Sequence, residues 1–139
     1  MSDASQRATA RKTTISPMLN VRGGARAVDF YRAAFGAEEL FRVESPDGAV
    51  VAQLAVDGAE FWVADESPDH LNFSPESLGG GTVRMVLITE DPDATFQRAV
   101  AAGATVVWPV EDQPYGWRVG RLVDPFGHHW EIGKPLETE

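Results

Sequence analysis

The residues best equipped for chemistry lie near the end of the chain, where His128, His129 and Glu131 fall in one short run, HHWE. Histidine titrates near neutral pH, and on an extended strand residues two apart share a face. His129 and Glu131 therefore form a candidate general acid–base pair. The competing reading makes them polar groups satisfied at the rim of a cleft. His128 and His129 are adjacent, so a regular strand turns them to opposite faces and they cannot chelate one ion together. His128 belongs to the preceding turn, and His70 sits in an irregular stretch. Cysteine is absent, which removes a thiol nucleophile, a disulfide framework and a Cys-zinc site. The glycines at 79–81 follow no predicted strand and open no helix, so they do not form a phosphate loop. Among the aromatic residues, Trp62, Trp117 and Trp130 lie on predicted strands and Phe73 in the irregular stretch. Each could be core or a stacking platform for a ligand.

The elements that must position these residues are written twice. Gly36-Ala37 and Gly103-Ala104 stand 67 positions apart, as do Ala27 and Ala94, Val21 and Ile88, and Val56-Asp57 and Val123-Asp124. The first copy predicts a strand over 15–21, a helix over 25–35 closed by Gly36, and strands over 38–43, 50–56 and 61–64. Ser45-Pro46-Asp47-Gly48 and Asp57-Gly58 supply the turns. The second predicts a strand over 82–89 and a helix capped by Asp91, opened by Pro92 and ended by Gly103. Strands over 105–110, 117–123 and 129–132 follow, separated by Pro114-Tyr115-Gly116 and Asp124-Pro125-Phe126-Gly127. The order is β-α-β-β-β in both copies. Two such units, burying one core between them, leave a cleft as the default ligand site.

Bulk properties narrow the partners. The chain has 139 residues, enough for one domain with a real core. Its formal charge of −9 disfavours nucleic acid or an anionic membrane as partner. That charge suits a soluble surface; the pairs Asp65-Glu66 and Glu111-Asp112 could also draw a cationic ligand. There is no apolar run of membrane-spanning length and no apolar leader, so the expectation is a cytoplasmic protein. The expected organisation is a flexible arm over 1–14 and a single domain over 15–139. That domain divides into a first module (15–65), a linker (66–81), a second module (82–133) and a short tail (134–139).

Several segments carry a resemblance. Asp29-Phe30-Tyr31 and Phe35-Gly36-Ala37 mark the first helix, and Ser74-Pro75-Glu76-Ser77-Leu78-Gly79-Gly80 the linker. Ala101-Ala102-Gly103-Ala104, Pro109-Val110-Glu111-Asp112-Gln113 and Asp124-Pro125-Phe126-Gly127-His128 follow. In that order, over about residues 15–132, the chain resembles the vicinal oxygen chelate superfamily, the glyoxalase/bleomycin-resistance/dioxygenase group. Within it, the chain looks like the PhnB-like proteins. The resemblance implies an α+β fold, two βαβββ modules forming an open curved sheet, an incomplete barrel, around a cleft, in a homodimer.

Enzymes of that superfamily hold a divalent cation with two side chains from each module. Here the resemblance puts Ser16, Trp62, Arg84 and Glu131 at those positions, and only Glu131 is a good ligand for such an ion. The alternative third-strand positions read Val51 and Gln53. The expectation is therefore no metal, with Arg84 and Glu131 paired across the cleft in its place. Trp62, Arg84, Ser16, Gln53, Phe73 and Trp117 would line a pocket for a small, partly aromatic or cationic molecule, as in antibiotic sequestration. The alternative is a lyase, isomerase or dioxygenase of the glyoxalase type with one divalent metal ion at Glu131. A metal-free enzyme using His129 and Glu131 is a further form of it.

Overall fold

The computed structural model describes residues 10–137, so most of the expected N-terminal arm and the last two residues lie outside it. The first module runs β1 (Met18–Val21), α1 (Gly24–Phe35), β2 (Glu38–Glu44), β3 (Val50–Val56) and β4 (Ala59–Asp65). The second runs β5 (Arg84–Ile88), α3 (Pro92–Ala102), β6 (Thr105–Asp112), β7 (Trp117–Val123) and β8 (His129–Pro135). Between them lie a single 3₁₀ turn (Pro68–His70) and the short helix α2 (Pro75–Leu78). Each module forms a four-stranded mixed sheet, in the orders β1-β4-β3-β2 and β5-β8-β7-β6. The outer pairs β1·β4 and β5·β8 are parallel and the remaining ladders antiparallel. The fold is α+β, two βαβββ modules forming a curved sheet that does not close into a barrel.

Alternation sorts each strand into two faces. In the first sheet Leu19, Val21, Val50, Ala52, Leu54, Phe61 and Val63 are buried in the core with α1. The intervening residues Met18, Gln53 and Trp62 stand side by side on the other face, where register joins Met18 to Trp62 and Trp62 to Gln53. Helix α1 opens without a side-chain cap of its own. Asp65, at the end of β4, serves instead: Oδ1 accepts from the N–H groups of Gly23 and Gly24 at 3.2 and 3.0 Å, and Oδ2 from Val50 N–H at 2.7 Å. A carboxylate belongs there, against the positive end of the helix. Gly24 is required by the approach, because a Cβ there would stand 2.5 Å from Asp65 Oδ2. In the second module Asp91 caps α3 directly, its Oδ1 accepting from Ala94 N–H at 3.1 Å.

The modules meet through aromatic packing. Tyr31, Phe35 and Phe61 of the first module touch Trp130 of the second, with ring centroids 4.6–5.6 Å apart. At the centre Asp124, only 4% exposed, accepts four hydrogen bonds. Tyr31 Oη donates at 2.5 Å and Trp130 Nε1 at 2.9 Å to Oδ2. The N–H groups of Phe126 and His128 donate to Oδ1 at 2.9 and 3.0 Å. Burial first, then the neighbouring Asp124 charge, pushes the Tyr31 phenol well above its usual range. The two modules therefore pack on each other through these aromatic rings and this buried carboxylate.

Three expectations change. The first strand starts at Met18, not Ile15, because the segment holding Pro17 contributes only one carbonyl, to Trp62 N–H at 2.9 Å. The linker is not irregular throughout. Ser74 Oγ caps α2 by accepting from Ser77 N–H at 3.2 Å, and Gly79 ends that helix with φ +80°. Strand β8 continues through Pro135, so two residues read as tail belong to the sheet.

Replacing Tyr31 by Phe removes one donor from a buried charge and should cost about 1.5–3 kcal/mol in urea unfolding. Asp124→Ala should cost more, since it orphans four donors at once, three of them buried. A Tyr31→Phe protein as stable as the parent would show that the network does not hold the modules together.

Candidate functional site

The face of the second sheet turned away from its helix carries the charged residues. Register lines up Val86, Glu131, Arg121 and Trp108 across β5, β8, β7 and β6. Glu131 Oε2 accepts from Arg121 Nη2 at 2.9 Å and also stands 3.2 Å from Arg84 Nε. The Arg121 guanidinium lies 4.6 Å from the centroid of the Trp108 ring, within cation–π range. Two buried polar atoms here have no protein partner: Arg121 Nε and His129 Nδ1.

Beside this face a cavity of about 1100 Å³ opens between the modules. Strand β1 contributes Met18 and Asn20, the linker contributes Phe73, and the second sheet contributes Arg84, Arg121 and His129. A smaller hollow of about 210 Å³ lies against Val86, Trp117 and Glu131. The linker that roofs the larger cavity is tied down at Glu66. That carboxylate accepts from Ser74 N–H at 2.8 Å, from Ser77 Oγ at 2.8 Å and from Arg22 Nε at 3.1 Å. Together these bonds, the Ser74 amide foremost, hold the Glu66 carboxyl at about 2, below its ordinary 4.5.

The residues singled out in the sequence are thus distributed over several places. Arg84, His129 and Phe73 share the large cavity, and Glu131 and Trp117 the small one. Trp62 and Gln53 are neighbours on the open face of the first sheet but line neither cavity. There Phe41 packs edge-on against Trp62 with centroids 6.1 Å apart, and Gln53 Nε2 donates to Glu60 at 2.7 Å. Ser16 precedes β1 and lines neither cavity. Arg84 and Glu131 do come together, though not across a cleft: β5 and β8 are neighbours in one sheet, so both side chains rise from the same wall. His128 also borders the large cavity, where its Nε2 donates to the Asn20 carbonyl at 2.9 Å, tying β1 to the β7–β8 turn.

Arg121 and Trp108 escaped the sequence reading. Arg121 could have been found by counting outward from the Asp124–His128 turn. Pairing Val123 with His129 forces Arg121 opposite Glu131. Trp108 is harder to find, because β6 slips register on both sides of it.

The donor set does not fit a divalent ion. Among the described residues Glu131 is the only carboxylate lining either cavity, and its Oε2 already faces two guanidiniums. A guanidinium has no lone pair to offer and repels a cation. Among the described residues no three His, Asp or Glu side chains gather as a metal site would require.

Comparison with known proteins gives a consistent picture. The model for the Glyoxalase/Bleomycin resistance protein/Dioxygenase superfamily matches residues 14–132. An uncharacterized protein of Mycobacterium tuberculosis is 47% identical over 126 residues, 88% of this chain and 74% of that protein. Among solved structures, TioX from Micromonospora sp. ML1 is 29% identical with a TM-score of 0.66, over 89% of this chain and 100% of that one. The PhnB protein of Bacillus cereus, 22% identical with a TM-score of 0.65 over 90% of this chain and 100% of that one, shares the fold.

The lowered Glu66 pKa means that its tether stabilises the linker fully above the ordinary value of 4.5 and is lost as pH falls through about 2. A ¹³C titration of the Glu66 carboxyl should show a midpoint near that lower figure, and Ser77→Ala should raise it. A midpoint at the ordinary value would mean that the tether does not form in solution.

Proposed function

The chain belongs to the glyoxalase/bleomycin resistance protein/dioxygenase superfamily, and from that premise we propose that it is a metal-free binding module, which takes a small, partly aromatic molecule in the cavity between its two modules. The observation that carries this reading is the place of Arg84. The superfamily resemblance puts a metal ligand there, and in this chain a guanidinium faces Glu131 at 3.2 Å. Without a Lewis acid, the polarising step of the metal enzymes has no agent. What is left is a cavity of ligand size with Phe73 in its wall and aromatic side chains on both open sheet faces. Sequestration of an antibiotic is one use of such a cavity. Within the superfamily, the linker and turn motifs and the shared fold of the PhnB protein support a PhnB-like assignment.

The partner we propose for the protein itself is a second copy. Leu40, Phe41, Val43 and Val51 on the first sheet, and Val86, Ile88, Val106 and Trp108 on the second, are all at least 38% exposed. Apolar residues concentrated on sheet faces to this extent ordinarily mark an interface. Among the described residues no helix is long and apolar enough to cross a membrane.

Elemental analysis of protein purified without chelator or nickel resin should find no stoichiometric metal, before or after exposure to Mn, Fe, Co, Ni and Zn. One tightly held ion per chain would overturn the metal-free reading and restore the glyoxalase-type lyase, isomerase or dioxygenase. Light scattering should give twice the 15.1 kDa of a single chain. A mass of one chain at micromolar concentration would rule out the dimer.

A further inference from the structure

We propose that the cavity selects an anion, and that its ligand is an aromatic or otherwise planar molecule carrying a carboxylate. This rests on the binding reading above and adds the charge of the ligand to it. The aromatic part of the sequence expectation is kept; the cationic part is replaced.

The titratable side chains lining the large cavity are Arg84, Arg121, His128 and His129, and no Asp or Glu lines it. Glu131, the carboxylate both arginines approach, borders the smaller hollow instead. Two guanidiniums against one carboxylate leave this wall with one positive charge even when both histidines are neutral. That charge is partly desolvated, because the Arg121 side chain is only 16% exposed. A guanidinium has five N–H donors. One is bonded to Glu131, while Nε is buried without a partner. His129 Nδ1 is the second buried nitrogen lacking one. The N–H groups that Arg121 does not spend on Glu131, together with the Arg84 guanidinium, are the donors on this wall for charge-assisted hydrogen bonds to a carboxylate. Arg121 is also held in advance, stacked on Trp108 and tied to Glu131, so little side-chain freedom remains to be lost on binding.

The acidic pairs that could have drawn a cation are committed elsewhere. Asp65 caps α1, Glu66 ties the linker, and Asp112 pairs with Arg118 at 3.0 Å. None of the three, nor Glu111, lines either cavity. The chain as a whole carries −9, so at long range it repels an anion. Selection must therefore come from contact with the two guanidiniums, where a cationic ligand would meet like charge.

Three probes of one shape separate the possibilities: 2-naphthoate, 2-naphthylmethanol and 2-naphthylmethylammonium, titrated calorimetrically into the full chain at neutral pH. The acid should bind at least about tenfold tighter than the alcohol, and the amine weakest. In Arg121→Gln the acid should lose that preference, falling to within about threefold of the alcohol. Arg84→Gln, at a side chain 58% exposed and so safe for folding, should lower the affinity for the acid at least about threefold. Equal binding of all three would overturn charge selection and leave the binding module standing. Tightest binding by the amine would overturn it in favour of a cationic ligand. A preference for the acid that survives both substitutions would remove these arginines as its cause. No binding of any probe up to millimolar concentration would overturn the charge selection and the binding reading together.

Discussion

A single buried carboxylate, Asp124, makes one molecule of two modules. Its two oxygens receive a phenol from α1, an indole from β8 and two backbone N–H groups from its own turn. A charge this deeply buried is tolerated only when every lone pair is met. That requirement fixes Tyr31 and Trp130 relative to one another, and with them the sheets that carry them. The position of the cavity follows, since its walls come from β1 on one side and from β5, β7 and β8 on the other. The same turn delivers His128 to the Asn20 carbonyl, a second tie between the modules beside the cavity mouth.

The chemistry available on the cavity wall is set by a substitution of charge type. In a metal enzyme a divalent cation would gather carboxylate and imidazole ligands. Here Arg84 and Arg121 converge on Glu131 from the neighbouring strands β5 and β7. Such an arrangement supplies hydrogen-bond donors and a fixed positive charge. Recognition is what it can do well. Trp108 beneath Arg121 adds a flat surface that keeps the guanidinium in one orientation.

Much of the scaffold was legible because punctuation residues bracket it. Strands β3 and β7 begin and end where the sequence placed them, at Val50–Val56 and Trp117–Val123. Asp57-Gly58 and the Asp124–Gly127 turn stop each of them, for reasons local to the backbone. Caps at Asp91 and Gly36 were readable on the same grounds. Elements fixed by distant contacts were not. Helix α2 lies in a segment rich in Ser, Pro and Gly, anchored by Glu66, eight residues from Ser74 in the sequence. β6 runs two residues beyond the expected Val110, to Asp112, with bulges along it, and Gly120 opposite leaves room for the Val110 backbone. At the site, alternation showed that Glu131 and His129 share a face. It could not show that Arg121 would join Glu131, nor that the cavity would open beside Met18 rather than over Trp62. The path of the linker decides the second point, and no local pattern encodes that path.

The tie between Tyr31 and Asp124 spans 93 positions of chain. A contact so distant in sequence is slow to find, because the loop must close before the contact rewards it. During synthesis the first module is complete long before Trp130 and Phe126 exist, so Phe30, Phe35 and Phe61 must wait with their outer faces uncovered. Until the second module is made these rings lack the partners that bury them, and an exposed apolar surface of that kind favours association.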